Sequence, residues 1–185
     1  LNELVKKFSE NHIPVLDLNN GISSPFITSR VAVSFWDMGF QAGSFLANNQ
    51  QKSNQPLSVA WFPGPAGAGW VSAGERGFNA AIKESNIQIL LNQKGDTGST
   101  AQSILLDKAL DDYSGKIDIL AGTAVTAEVA VNLIRKRGLK NKIKILSYYY
   151  GPGVHRGIRR GDILAAPTDH PVLQARIAID TMIRI

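Results

Sequence analysis

The stretch Leu57-Ser58-Val59-Ala60-Trp61-Phe62 runs directly into Pro63-Gly64-Pro65-Ala66-Gly67-Ala68-Gly69-Trp70, and Val71, Phe78, Ala81 and Ile82 then follow at helical spacing. A short apolar run bounded by turn formers predicts a buried strand, and the shift to a 3.6-residue period predicts a helix after it. The same order recurs outward from this unit. Towards the carboxyl end, residues 87–91 predict a strand, and Ser99 the N-cap of a helix carrying Ile104, Leu105, Ala109 and Leu110. Residues 117–121 predict a strand, and 125–137 a helix stopped by Gly138. Strands are expected at 143–148 and 163–166, a short helix at 154–160 and a closing helix at 172–183. Towards the amino end, 36–48 reads as a helix with Met38, Ala42, Phe45 and Leu46 apolar. Residues 13–16 and 30–34 read as strands, and 1–11 as an amphipathic helix.

Strands alternating with helices imply right-handed crossovers, hence an α/β fold of parallel sheets with helices on both faces. Ligands of such sheets bind beyond the carboxyl ends of the strands. A domain of this kind rarely begins in a helix with no strand before it, so a front segment is expected to be missing.

Composition narrows the function. Of 185 residues, 44% are hydrophobic and 19% charged, an ordinary globular balance. No run of eighteen apolar residues suggests a membrane span, and residues 1–11, with Lys6-Lys7 inside, do not read as a secretory leader. The absence of cysteine removes disulfides, thiolate catalysis and zinc–cysteine sites. Nine of the twenty Lys and Arg residues fall between Val129 and Gly161, a stretch without one acid: Arg135, Lys136, Arg137, Lys140, Lys142, Lys144, Arg156, Arg159 and Arg160. Such a cluster suits an acidic partner or a solvated helix end. No helix-turn-helix, zinc finger or aromatic RNA-binding motif accompanies it, so no nucleic-acid partner is expected.

The glycine loop is not a P-loop, because no Lys-Ser/Thr pair follows Gly69 and two prolines remove N–H donors. Trp70 ends that loop, Trp36 follows an earlier strand, and Tyr148-Tyr149-Tyr150 follows a later one. Aromatics at three strand ends predict an aromatic-walled pocket, suited to a sugar or to a methylated ammonium group. His12, His155 and His170 are too scattered for a metal motif, and no G-x-S-x-G elbow occurs. No catalysis, metal or cofactor is expected.

Several runs are similar, in order along the chain, to the ribose-binding-protein family of type I periplasmic receptors. Asn11-His12-Ile13-Pro14-Val15-Leu16 resembles its n-I-P-V segment, and Asp37, Gly39, Gly43 and Leu46 its helix after the first interlobe crossing. Ala73-Gly74-Glu75-Arg76-Gly77-Phe78 resembles its R-x-x-G-F element. Ile117-Asp118-Ile119-Leu120-Ala121 and Arg160-Gly161-Asp162-Ile163-Leu164-Ala165-Ala166 resemble two of its later strands. The resemblance implies a two-lobed fold with about a third of the receptor absent. Residues 1–33 would belong to the first lobe, 34–165 to the second and 166–185 to the first again, with Val33-Ser34 and residues 167–169 as extended crossings.

Carried over position by position, the resemblance places ligand-binding residues at Asn19 and Asn20, at Phe35 or Trp36, at Ser72 with Trp70 just before it, at Thr123, at Tyr149 and at Asp169. Several charged, sugar-matching positions hold aromatics instead. Trp61-Phe62-Pro63-Gly64-Pro65, Gly69-Trp70-Val71, Ser147-Tyr148-Tyr149, Pro152-Gly153-Val154, Arg156-Gly157-Ile158 and Ala165-Ala166-Pro167 resemble one branch, the receptors for trimethylamine N-oxide. That branch implies a periplasmic protein without membrane insertion, binding its ligand between lobes and signalling to the periplasmic domain of a membrane sensor histidine kinase. The fold leaves two alternatives open: the effector-binding core of a LacI-type regulator, and a sugar-binding protein of a transporter.

Overall fold

The computed structural model describes residues 1–19, 21–50 and 55–185. In chain order they form α1 (Asn2–Glu10), β1 (Leu16–Leu18), β2 (Ser29–Val31), α2 (Phe35–Gln50), β3 (Leu57–Phe62) and α3 (Gly69–Ile82). Then follow β4 (Ile87–Asn92), α4 (Ser99–Asp112), β5 (Ile119–Gly122), α5 (Ala124–Lys136), β6 (Lys144–Ser147), α6 (Pro152–Arg159) and α7 (Pro171–Arg184). The chain divides into two compact units, residues 1–34 with 169–185, and residues 35–168.

In the smaller unit β1 and β2 pair in parallel, Asp17 opposite Arg30. The Asp17 carboxylate is fully buried and accepts from Arg30 Nε at 2.8 Å and from the Ile22 N–H at 2.9 Å. Burying a carboxylate without such partners would be costly, so this pair fixes the register of a very short sheet.

The larger unit is built on a parallel sheet of order β4-β3-β5-β6. β3 and β5 are its central strands, and Val59, Ala60, Trp61 and Phe62 are all buried, as a strand covered on both faces requires. Successive side chains alternate between faces. Ala60, Phe62 and Leu120 join Leu106 and Leu110 of α4 and Ala127 and Ile134 of α5 in one core. Val59, Trp61, Ile119 and Tyr148 join Ala42 and Leu46 of α2 and Phe78 and Ile82 of α3 in the other. Glycines let α2 and α3 approach closely: a Cβ at Gly39 would overlap the Gly74 backbone, and one at Gly77 the Trp36 carbonyl.

Three details differ from the expectations. Gly98, not Ser99, is the N-cap of α4; the helix already starts at Ser99, and Asp96 accepts the Gly98 N–H at 2.6 Å. Residues 163–166 form no assigned strand. They run beside β6 with two ladder bonds, Leu164 N–H to Ile145 O at 2.8 Å and Ser147 N–H to Ala165 O at 3.2 Å, until Pro167, which has no N–H to offer. The first two strands lie at Leu16–Leu18 rather than 13–16 and at Ser29–Val31 rather than 30–34; the first begins beyond Pro14, which likewise lacks a ladder donor.

Candidate functional site

The aromatics of the larger unit gather at the carboxyl edge of its sheet. β3 ends at Phe62, and the chain turns at Gly64 with φ of 118° before α3 begins at Gly69. A Cβ at Gly64 would stand 2.7 Å from the Trp70 ring, so this glycine supplies both the backbone twist and the seat for the indole. Trp70 is half-buried in the first turn of α3. Its ring centroid lies 5.7 Å from Phe35, 6.4 Å from Tyr148 and 6.2 Å from Tyr149, the last meeting it edge-on at 78°.

Tyr148 is the floor of this corner. It is wholly buried, its hydroxyl donates to the Pro63 carbonyl at 2.7 Å, and its ring lies 5.2 Å from Trp61. Trp61 stacks in turn on Phe78 at 4.3 Å. Burial, and after it the neighbouring Tyr149 and Glu75, push the Tyr148 phenol well above its ordinary range. The hydroxyl is therefore a fixed donor that ties the end of β6 to the end of β3. Tyr149 is held one residue further on, where Ser147 Oγ donates to its carbonyl at 2.7 Å. The corner thus presents Phe35, Trp70 and Tyr149, all half-buried, over a rigid aromatic base.

The other expected site residues fall as follows. Trp36 is 38% exposed and stacks on Phe40, one turn along α2, at 5.0 Å. Adjacent helix positions point about 100° apart, so Phe35 rather than Trp36 meets Trp70. Ser72 is half-buried in the first turn of α3. Thr123 is completely buried and caps α5: its Oγ1 accepts the Thr126 N–H at 3.1 Å and lies 2.8 Å from the Thr126 hydroxyl, which donates to Gln102 at 2.7 Å. In the smaller unit, Asn19 follows β1 with φ of 64° and its Oδ1 buried without a hydrogen bond among the described residues. Asp169 is 8% exposed, and one carboxylate oxygen is likewise unpartnered among the described residues. Asn20 lies outside the described residues.

Two further side chains adjoin the expected positions, one in each unit. Tyr148 stood in the tyrosine run, but only the sheet register shows it turning inward beneath Trp70. Gln174, buried on α7, donates from its side-chain amide to the Asp169 carbonyl; its helical position alone carried no signal.

A sheet edge walled with aromatics gives the larger unit π faces against which a small solute can be held. The whole chain, residues 1–185, matches the periplasmic binding protein domain, and the protein belongs to that family of non-catalytic, periplasmic solute-binding receptors. The periplasmic protein TorT of Escherichia coli strain K12 is 37% identical over 172 residues, 93% of this chain and 49% of that protein. The chain thus spans about half the length of the curated relatives it matches. A solute-binding protein from Bradyrhizobium sp. BTAi1, solved with bound bis-tris, is 49% identical with a TM-score of 0.83, over 100% of this chain and 55% of that one. TorT in complex with the TorS sensor domain, solved in the presence of TMAO, is 30% identical with a TM-score of 0.82, over 90% and 56% of the two chains. No described helix is long and apolar enough to cross a membrane.

Proposed function

We propose that this protein is a periplasmic receptor that binds trimethylamine N-oxide at the aromatic corner and signals to the periplasmic domain of a membrane sensor histidine kinase. The observation that carries the reading is the Trp70 indole, seated by Gly64 and flanked by Phe35 and Tyr149. A methylated, positively polarised nitrogen is attracted to π faces, and more strongly where water is excluded. The N-oxide oxygen requires a donor, and the first turn of α3, which carries Trp70, leaves backbone N–H groups without helical acceptors. A sugar can also stack on such faces, but several of the positions that the family resemblance gives to charged, hydroxyl-pairing side chains hold aromatics here, so paired hydroxyls would lack bidentate partners. The TorT relationship and the TorS–TorT complex support both ligand and partner.

The test is calorimetric titration of the full-length receptor with trimethylamine N-oxide, trimethylamine and ribose. The N-oxide is expected to bind, trimethylamine more weakly because it lacks the acceptor oxygen, and ribose not measurably. Binding of ribose in preference to the N-oxide would overturn the reading in favour of a sugar receptor.

A further inference from the structure

The basic stretch identified in the sequence becomes one face of the larger unit. α5 ends at Lys136, β6 begins at Lys144 and α6 ends at Arg159, so the carboxyl ends of both helices and the start of the edge strand carry the cations. Asp162 ties these elements together, accepting from Lys140 Nζ at 2.9 Å and Arg135 Nη2 at 3.1 Å. Its side chain is only 6% exposed, and the hydrogen bond from Lys140 holds its carboxyl below the usual range. Beside it lies a cleft of about 230 Å³ lined by Arg135, Lys140, Lys144 and Asp162.

The cations exceed what local structure needs. Arg137 is committed to Asp107 and Asp111 at 2.7 and 2.6 Å, and Arg135 and Lys140 to Asp162. Lys136, Lys142, Lys144, Arg156, Arg159 and Arg160 are all exposed and pair with no carboxylate among the described residues. A helix end compensates roughly half a charge, so two helix ends account for about one of these six. The remainder is self-repelling charge on a rigid, ion-paired base, which an acidic counterpart would relieve.

We propose that this face, centred on Lys142, Lys144 and Arg159, is a docking surface for an acidic protein surface. Lipid fits it less well. Interfacial binding sets apolar anchors beside the cations, and Leu164 is the one large exposed hydrophobic side chain described between residues 129 and 167. That the acidic surface belongs to the sensor's periplasmic domain rests on the function proposed above. The face lies at the amino ends of the strands, the edge opposite the aromatic corner, so ligand and partner would occupy separate parts of the unit.

The experiment compares the full-length receptor with Lys142→Glu/Lys144→Glu/Arg159→Glu, using the cognate sensor's periplasmic domain as probe at 50 and 300 mM NaCl by biolayer interferometry. Lys6→Glu/Lys7→Glu on α1 is the charge control, and thermal melts establish folding. The triple variant is expected to bind the sensor domain about tenfold or more weakly at low salt, with a flattened salt dependence. Trimethylamine N-oxide titration of the same variant should be unchanged, which separates failure of this proposal from failure of the ligand assignment. Equal binding by parent and triple variant at both salts would overturn the docking face, as would a parent that does not bind the sensor domain. Loss of binding to phosphatidylglycerol vesicles with sensor binding intact would assign the face to lipid instead and overturn it equally.

Discussion

Tyr148 shows how one side chain serves both the core and the site. Its hydroxyl satisfies the buried Pro63 carbonyl, and its ring lies beneath Trp70. Tyr148→Phe leaves that acceptor unpaired, and a loss of about 1–3 kcal/mol is expected in urea unfolding. The pH dependence follows from the direction of the shift. Burial raises the phenol above its unfolded value of about 10, so its contribution is complete below that pH and is lost as pH rises towards the folded value. The parent should lose stability above about pH 10 more steeply than Tyr148→Phe, and identical alkaline profiles would contradict the assignment. Among the site residues, Trp70 was legible because a bulky aromatic after a strand and among glycines has a direction as well as a position. The choice between Phe35 and Trp36 was not legible, since it depends on where α2 starts, and a shift of one residue turns the face by about 100°.

Helix ends carry much of the order in the elements. At the end of α5, Gly138 takes φ of 69°, its N–H bonds the Arg135 carbonyl at 3.1 Å and the Leu139 N–H bonds the Ile134 carbonyl at 2.7 Å. Both bonds match the glycine stop read in the sequence. At its start, Thr123 closes a buried relay through Thr126 to Gln102 and on to the Asp96 carbonyl at 2.6 Å. Thr123→Ala removes the cap and frees part of that relay. A loss of about 1–2 kcal/mol is expected, with Thr123→Ser retaining most of the parent stability in the same denaturation measurement. The strong apolar runs at β3 and β5 were readable because both faces of a central strand are covered. The 163–166 segment misled because an apolar run beside a sheet edge reads as a strand whether or not the ladder closes.

At the scale of the molecule, the alternation of strands and helices already specified a parallel sheet, and the larger unit is built that way. What the sequence could not supply is which side chains converge at that edge, because convergence depends on strand order and register rather than spacing. The order β4-β3-β5-β6 brings the end of β3 within reach of the end of β6 across β5. The proposed ligand stands or falls with Trp70: a desolvated contact between its indole and a methylated nitrogen would contribute about 2 kcal/mol. Calorimetric titration of the full-length receptor and its Trp70→Ala and Trp70→Phe variants with trimethylamine N-oxide is the most direct test, with thermal melts confirming the fold. Trp70→Ala is expected to weaken binding by about thirtyfold or more, and Trp70→Phe by less. A folded Trp70→Ala variant that binds the N-oxide as tightly as the parent would contradict the aromatic corner and, with it, the ligand.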